Sequence, residues 1–128
     1  MKKNIKSTER VKSLGEVFTD PIFCKEFLKD LSFKKNETIL EPSCGNGNFL
    51  KEILINKVKN NHNVIDSLKN IYGIDLMKDN ILDSRKILFQ TAIELGLPEK
   101  DWEMAINIIK KNIKQGNTLE VDFETFFD

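Results

Sequence analysis

The sequence predicts an α/β fold, a three-stranded parallel sheet with helices on both faces and one further helix ahead of the first strand. Three observations predict it. Short apolar runs of strand length alternate with longer runs of helical period, in the order strand, helix, strand, helix, strand. The stretch Thr38-Ile39-Leu40-Glu41-Pro42-Ser43-Cys44-Gly45-Asn46-Gly47-Asn48-Phe49-Leu50 reads as a strand, a tight glycine-containing turn and the first turn of a helix. The length of 128 residues allows one domain with a core of its own.

In chain order, residues 1–14 are expected as a flexible basic arm carrying Lys2, Lys3, Lys6, Arg10 and Lys12. A domain then runs over residues 15–128. Asp20 is a natural N-cap with Pro21 at the first helical position. The helix that follows runs to about Leu31 with Ile22, Phe23, Phe27, Leu28 and Leu31 inward. Thr38 to Glu41 is the first strand, its Ile39-Leu40 centre suited to burial on both faces, and Pro42 ends it. A helix from about Asn46 to Val58 turns Phe49, Leu50, Ile53, Leu54 and Val58 inward. His62, the single histidine, lies in a polar loop and is expected to be exposed and inert, with a short helix or turn at Val64, Ile65 and Leu68.

Asn70 to Leu76 is the second strand, rich in β-branched and aromatic residues and ending in an acid. A helix from about Met77 to Leu95 stops at Gly96, with Pro98 beyond. Another, from about Glu99 to Lys111, has Trp102, Ala105, Ile106, Ile109 and Ile113 lining one face. Ile113-Lys114-Gln115 is a short third strand and Gly116 to Leu119 the turn after it. Phe126-Phe127-Asp128 looks like the beginning of a further strand.

Composition excludes several classes. Lys+Arg and Asp+Glu number 20 each, which argues against a self-sufficient nucleic-acid binder. Cys24 and Cys44 have no metal-ligand spacing, so reduced thiols and a cytoplasmic location are expected. No apolar run approaches the ~18 residues that span a membrane, and no apolar segment follows the basic N-terminus, so neither membrane nor signal peptide is expected.

In an open parallel sheet, ligands bind outside the carboxyl ends of the strands. That edge collects Glu41, the Gly45–Gly47 turn, Asp75 and Asn117. The turn is Gly-Asn-Gly and lacks the third glycine of a dinucleotide fingerprint, which weighs against an NAD-type oxidoreductase. Glu41 suits a cationic group such as an ammonium, and Asp75 can accept both hydroxyls of a ribose. A ligand with an amino-acid end and a ribose is S-adenosylmethionine.

Ile39 to Leu50 resembles the first motif of the adenine-N6 DNA methyltransferases of restriction–modification systems, an Asp/Glu-Pro-x-x-Gly-x-Gly-x-Phe turn. Gly15-Glu16-Val17-Phe18-Thr19 resembles their N-terminal motif, with Asp20 where the family more often has Pro. Tyr72-Gly73-Ile74-Asp75-Leu76 resembles the second motif, and Gly116-Asn117-Thr118-Leu119 the third, which usually carries Asp where this chain has Asn117. The resemblance covers Gly15 to Leu119. It implies a partial Rossmann-like methyltransferase fold with strand order 3-2-1 and S-adenosyl-L-methionine as cofactor. The implied contacts are Phe18, Thr19, Glu41, Pro42, Ser43, Cys44, Gly45, Gly47, Phe49, Asp75, Leu76, Asn117 and Thr118.

The family's catalytic motif, Asn/Asp/Ser-Pro-Pro-Tyr/Phe, holds and stacks a flipped adenine. No two of the three prolines here adjoin, and the single tyrosine is Tyr72, so no residue of this chain is expected to be catalytic. The resemblance thus implies a truncated cofactor-binding part that meets DNA only through missing C-terminal parts or a partner subunit. With no fourth strand, the edge at Ile39-Leu40 would invite homodimerisation or strand exchange. A non-catalytic subunit completing a second chain, or a degenerate domain whose glycines serve only packing, stays open.

Overall fold

The computed structural model describes residues 37–42, 44–60 and 62–128. The basic arm, the Gly15–Thr19 motif with Phe18 and Thr19, the helix expected from Asp20 and the turn residue Ser43 lie outside the described residues. The elements are β1 (Ile39–Glu41), α1 (Asn48–Lys59), α2 (Val64–Lys69), β2 (Ile71–Asp75), α3 (Lys78–Glu94), a 3-10 turn (Glu99–Asp101), α4 (Trp102–Asn112), β3 (Ile113–Gln115) and α5 (Phe123–Phe126). The three strands form one parallel sheet in the order β1-β2-β3. Ile39 stands opposite Ile71 and Glu41 opposite Gly73, while Gly73 stands opposite Ile113 and Asp75 opposite Gln115.

Alternation along each strand divides the sheet into two faces. Ile39, Ile71, Gly73 and Ile113 share one, and they meet the core formed by Leu50, Ile53 and Leu54 of α1, Leu68 of α2, Ile81, Leu88 and Ala92 of α3, and Ala105 and Ile109 of α4. Both crossovers step across the sheet in the same direction, so right-handed connections put both sets of helices on this side. Helices lie on both faces, but unequally. Among the described residues only the short α5 covers the other face, where Phe127 meets Tyr72 edge-on at 4.8 Å and the Lys114 ammonium lies over the Phe126 ring.

Three expectations need correction, the first two in the sheet itself and the third at His62. The Phe126-Phe127-Asp128 tail does not begin a strand. Asp122 accepts the Glu124 N–H through its side chain and the Phe126 N–H through its carbonyl, which closes a helical turn. Lys114 Nζ then donates to the Phe126 carbonyl at 2.9 Å and holds the turn on the sheet. The first strand is not buried on both faces either. All three residues of β1 are half-buried, because among the described residues β1 has one neighbour, and the central β2 is the buried strand.

Local chemistry explains the boundaries. Asn63 caps α2 by accepting from the Ile65 and Asp66 N–H groups, so the polar loop before it starts a helix. His62 in that loop is partly buried, with Nδ1 enclosed and without a hydrogen-bond partner, which corrects the expected exposure. Gly96, at φ +100°, ends α3. Its N–H donates to the Ile93 carbonyl and the Leu97 N–H to the Ala92 carbonyl, the paired bonds of a left-handed helix stop. Arg85 on α3 donates through Nε to the Ile113 carbonyl at 2.9 Å and so ties the long helix to the start of β3. No described helix is long and apolar enough to cross a membrane.

Candidate functional site

Parallel strands deliver their carboxyl ends to one edge, and three chain segments meet there. After β1, the turn from Pro42 to Gly47 continues alongside β2, with the Cys44 N–H donating to the Ile74 carbonyl at 2.9 Å. Gly45 and Gly47 both take positive φ, 54° and 90°, the left-handed region that residues with a Cβ avoid. The Gly47 N–H returns to the Cys44 carbonyl, Asn46 Oδ1 accepts from the Asn48 N–H, and α1 begins.

Asp75 closes the end of β2 and is buried. Its Oδ2 accepts the Gly45 N–H at 2.9 Å, and its Oδ1 accepts the Met77 N–H at 2.9 Å and the Asn80 amide at 3.0 Å. A carboxylate has about four acceptor positions. Three are filled by protein donors, so one position on Oδ2 remains.

The segment after β3 reaches over both neighbours. The Gly116 N–H donates to the Asp75 carbonyl at 3.0 Å, and the Thr118 hydroxyl donates to the Pro42 carbonyl. Between these anchors Asn117 accepts the Leu119 N–H on Oδ1 at 3.0 Å. Gln115 Nε2 donates to the Leu76 carbonyl, and the Leu76 side chain itself is exposed.

The structure therefore brings Pro42, Cys44, Gly45, Gly47, Asp75, Asn117 and Thr118 into one bonded cluster, with Glu41 at the end of β1. Phe49, the second residue of α1, is half-buried and packs against the core. Cys44 is buried. Burial pushes its thiol up to about 12; the Ser84 hydroxyl beside it works against the rise, and the nearby Asp75 and Glu41 charges add to it. A thiol so held stays protonated near neutral pH and is not an activated nucleophile. Among the described residues no group of His, Cys, Asp and Glu side chains is placed to hold a metal ion.

Two residues of the cluster were not anticipated. Asn80 braces Asp75, and Ser84 donates to the Gly45 carbonyl at 2.9 Å. Both are fully buried polar residues on the inner face of α3. The signal was available in the sequence. The steps of four that join Ala92 to Leu88 continue to Ser84 and then Asn80, polar residues where the helical period calls for core. Comparison with family models, with curated proteins and with solved structures gave no match.

Proposed function

We propose that this chain is the S-adenosylmethionine-binding part of a DNA adenine-N6 methyltransferase. One observation carries the reading. The glycine turn after β1 is held to the acid ending β2, and the segment after β3 is anchored to both, at the carboxyl edge of a parallel sheet. Such an edge is where nucleotide-like ligands sit. The donor and acceptor set fits the cofactor: Glu41 supplies an acid for an ammonium, Asp75 keeps one acceptor position for a ribose hydroxyl, and Asn117 supplies an amide near a base. The motif resemblance of Ile39 to Leu50 gives the reading its specificity. When bound, the cofactor would supply an electrophilic methyl group, and this chain would supply its seat. No catalytic role is assigned to any of its residues.

The packing alternative explains part of the same turn. A Cβ on Gly47 would come within 2.8 Å of the Ser84 Cα and 2.7 Å of Ile87 Cγ2, so that glycine is required by α3 alone. That account does not extend to the bonds that tie Gly45 to Asp75 and Thr118 to Pro42. A titration therefore decides. S-adenosylhomocysteine added to the full chain is expected to give a saturable one-to-one binding heat and a rising unfolding temperature. Stabilisation should reach about 2.7 kcal/mol at a hundredfold excess over Kd. Neither heat nor shift at millimolar ligand, or a preference for NAD, would overturn the reading.

The half-buried edge strand β1 favours a second arrangement for the same activity, in which another chain carrying the catalytic motif pairs at Ile39–Glu41. Methyl transfer to DNA restored by a separately expressed chain bearing a Pro-Pro-Tyr motif would support it. Mixtures that neither associate nor transfer would remove it.

A further inference from the structure

We infer that Asn117 offers the ligand its amide nitrogen, a donor, so that the base of the cofactor must meet it with a ring-nitrogen acceptor and not with an amino group. The inference rests on the cofactor reading above and sharpens the specificity of that site. The amide's orientation is fixed by its neighbour. A backbone N–H can only donate, so the atom 3.0 Å from the Leu119 N–H is the Asn117 oxygen. Two further bonds hold the residue in place. Its carbonyl accepts the Glu120 N–H at 2.9 Å and the Val121 N–H at 3.1 Å. Gly116 and Thr118 on either side are anchored to the Asp75 and Pro42 carbonyls, so Asn117 lies between the anchors at the ends of β2 and β1. Asn117 Nδ2 meets no acceptor among the described residues, and the residue is only half-buried.

An aspartate in this place would present acceptors alone and would select an exocyclic amino group. With its oxygen engaged by Leu119, Asn117 presents the opposite polarity. Adenine carries both kinds of group, an amino group and three unsubstituted ring nitrogens. Donation from Asn117 therefore orients the base by a ring nitrogen.

The sign of one substitution tests this. Asn117→Asp keeps an acceptor for the Leu119 N–H, so the ligand-free variant should unfold at the wild-type denaturant midpoint. It turns the donor into an acceptor facing a ring-nitrogen lone pair. S-adenosylhomocysteine, which carries no net charge near neutral pH, is titrated into the wild-type chain, Asn117→Asp and Asn117→Ala. Affinity is expected to fall by about tenfold or more for Asn117→Asp and by about three- to tenfold for Asn117→Ala. Equal or tighter binding by Asn117→Asp would overturn the inference, because an amino group would then be the partner. Deaza analogues lacking one ring nitrogen give a readout that does not depend on the aspartate variant folding. One analogue should bind the wild type more weakly than the parent ligand yet lose nothing further against Asn117→Ala. No such coupling with any analogue would also overturn the inference. A wild-type chain that binds no S-adenosylhomocysteine overturns the cofactor reading itself, a result distinct from binding without discrimination.

Discussion

The backbone N–H of Gly45 donates to Asp75 Oδ2 at 2.9 Å, across 30 residues of chain and in a buried setting. This bond joins the turn after β1 to the end of β2. It also fixes the left-handed Gly45 in place, since the Ser84 hydroxyl takes the carbonyl of the same residue. A conformation that is unfavourable in isolation is thus held through the two peptide groups that flank one Cα.

The first prediction follows from the polarity of that bond. Asp75→Asn keeps an oxygen for the Met77 N–H and the Asn80 amide, but sets an NH2 group against the Gly45 N–H. Two buried donors then face each other, at a cost of about 2–3 kcal/mol. Asp75→Ala strands three donors and should cost more. Urea unfolding at neutral pH measures both. Asp75→Asn within about 0.5 kcal/mol of wild type would mean that the acid does not organise the turn.

Glycine replacements should separate backbone strain from collision. Gly96 has φ +100° and no atom within 4 Å of an added Cβ, so Gly96→Ala carries strain alone, about 1 kcal/mol. Gly47 has φ +90° and an added Cβ lies 2.8 Å from the Ser84 backbone, so Gly47→Ala must also push α3 away from the turn. A loss of about 3 kcal/mol or more is expected there, by the cost of overpacking added to the strain. Equal losses in the two variants would show that α3 yields freely, and the tight approach of turn and helix would lose its importance.

How much was legible in the sequence differs by element. The parallel order of strands, and the helices between them, could be read from Ile39-Leu40, the Ile71 to Asp75 run and the spacing of Leu88, Ala92 and Leu95, because buried faces impose a period on the chain. The stop at Gly96 was legible because only glycine adopts that conformation without strain. The tail was not. Phe126 and Phe127 have the composition of a strand, and what decides their helical turn is the Asp122 cap together with rings that pack on Tyr72 and Lys114 from β2 and β3. Phe49, expected on the inward face of its helix, is half-buried there and packs against the core. Asp75 was identified, but its three donors were not, since Gly45, Met77 and Asn80 reach it only through the fold.

The last prediction concerns Cys44 and alkaline pH. Its thiol rises from an ordinary 9.0 to about 12, chiefly because burial disfavours the thiolate. In the unfolded chain the thiol ionises near 9, while the folded chain keeps its proton to about 12. The folded state therefore binds more protons in that window. The contribution of Cys44 is complete below about pH 9 and is lost as pH rises toward 12, with a slope of up to about 1.4 kcal/mol per pH unit. Lys57 acts in the opposite direction. Burial lowers its pKa, so the folded state binds fewer protons just below the ordinary 10.5 and gains stability there with rising pH. Comparing Cys24→Ser with Cys24→Ser/Cys44→Ala cancels the Lys57 contribution and isolates the thiol. The stability difference between the two should be flat up to about pH 9 and should then move steadily against the chain that retains Cys44. In that single-thiol chain, iodoacetamide at pH 8.5 should react at the rate of global unfolding, and rapidly in guanidinium chloride. A thiol alkylated in the native state at the rate of a free cysteine would show that the turn opens far more readily than its hydrogen bonds to Asp75 and Ser84 imply.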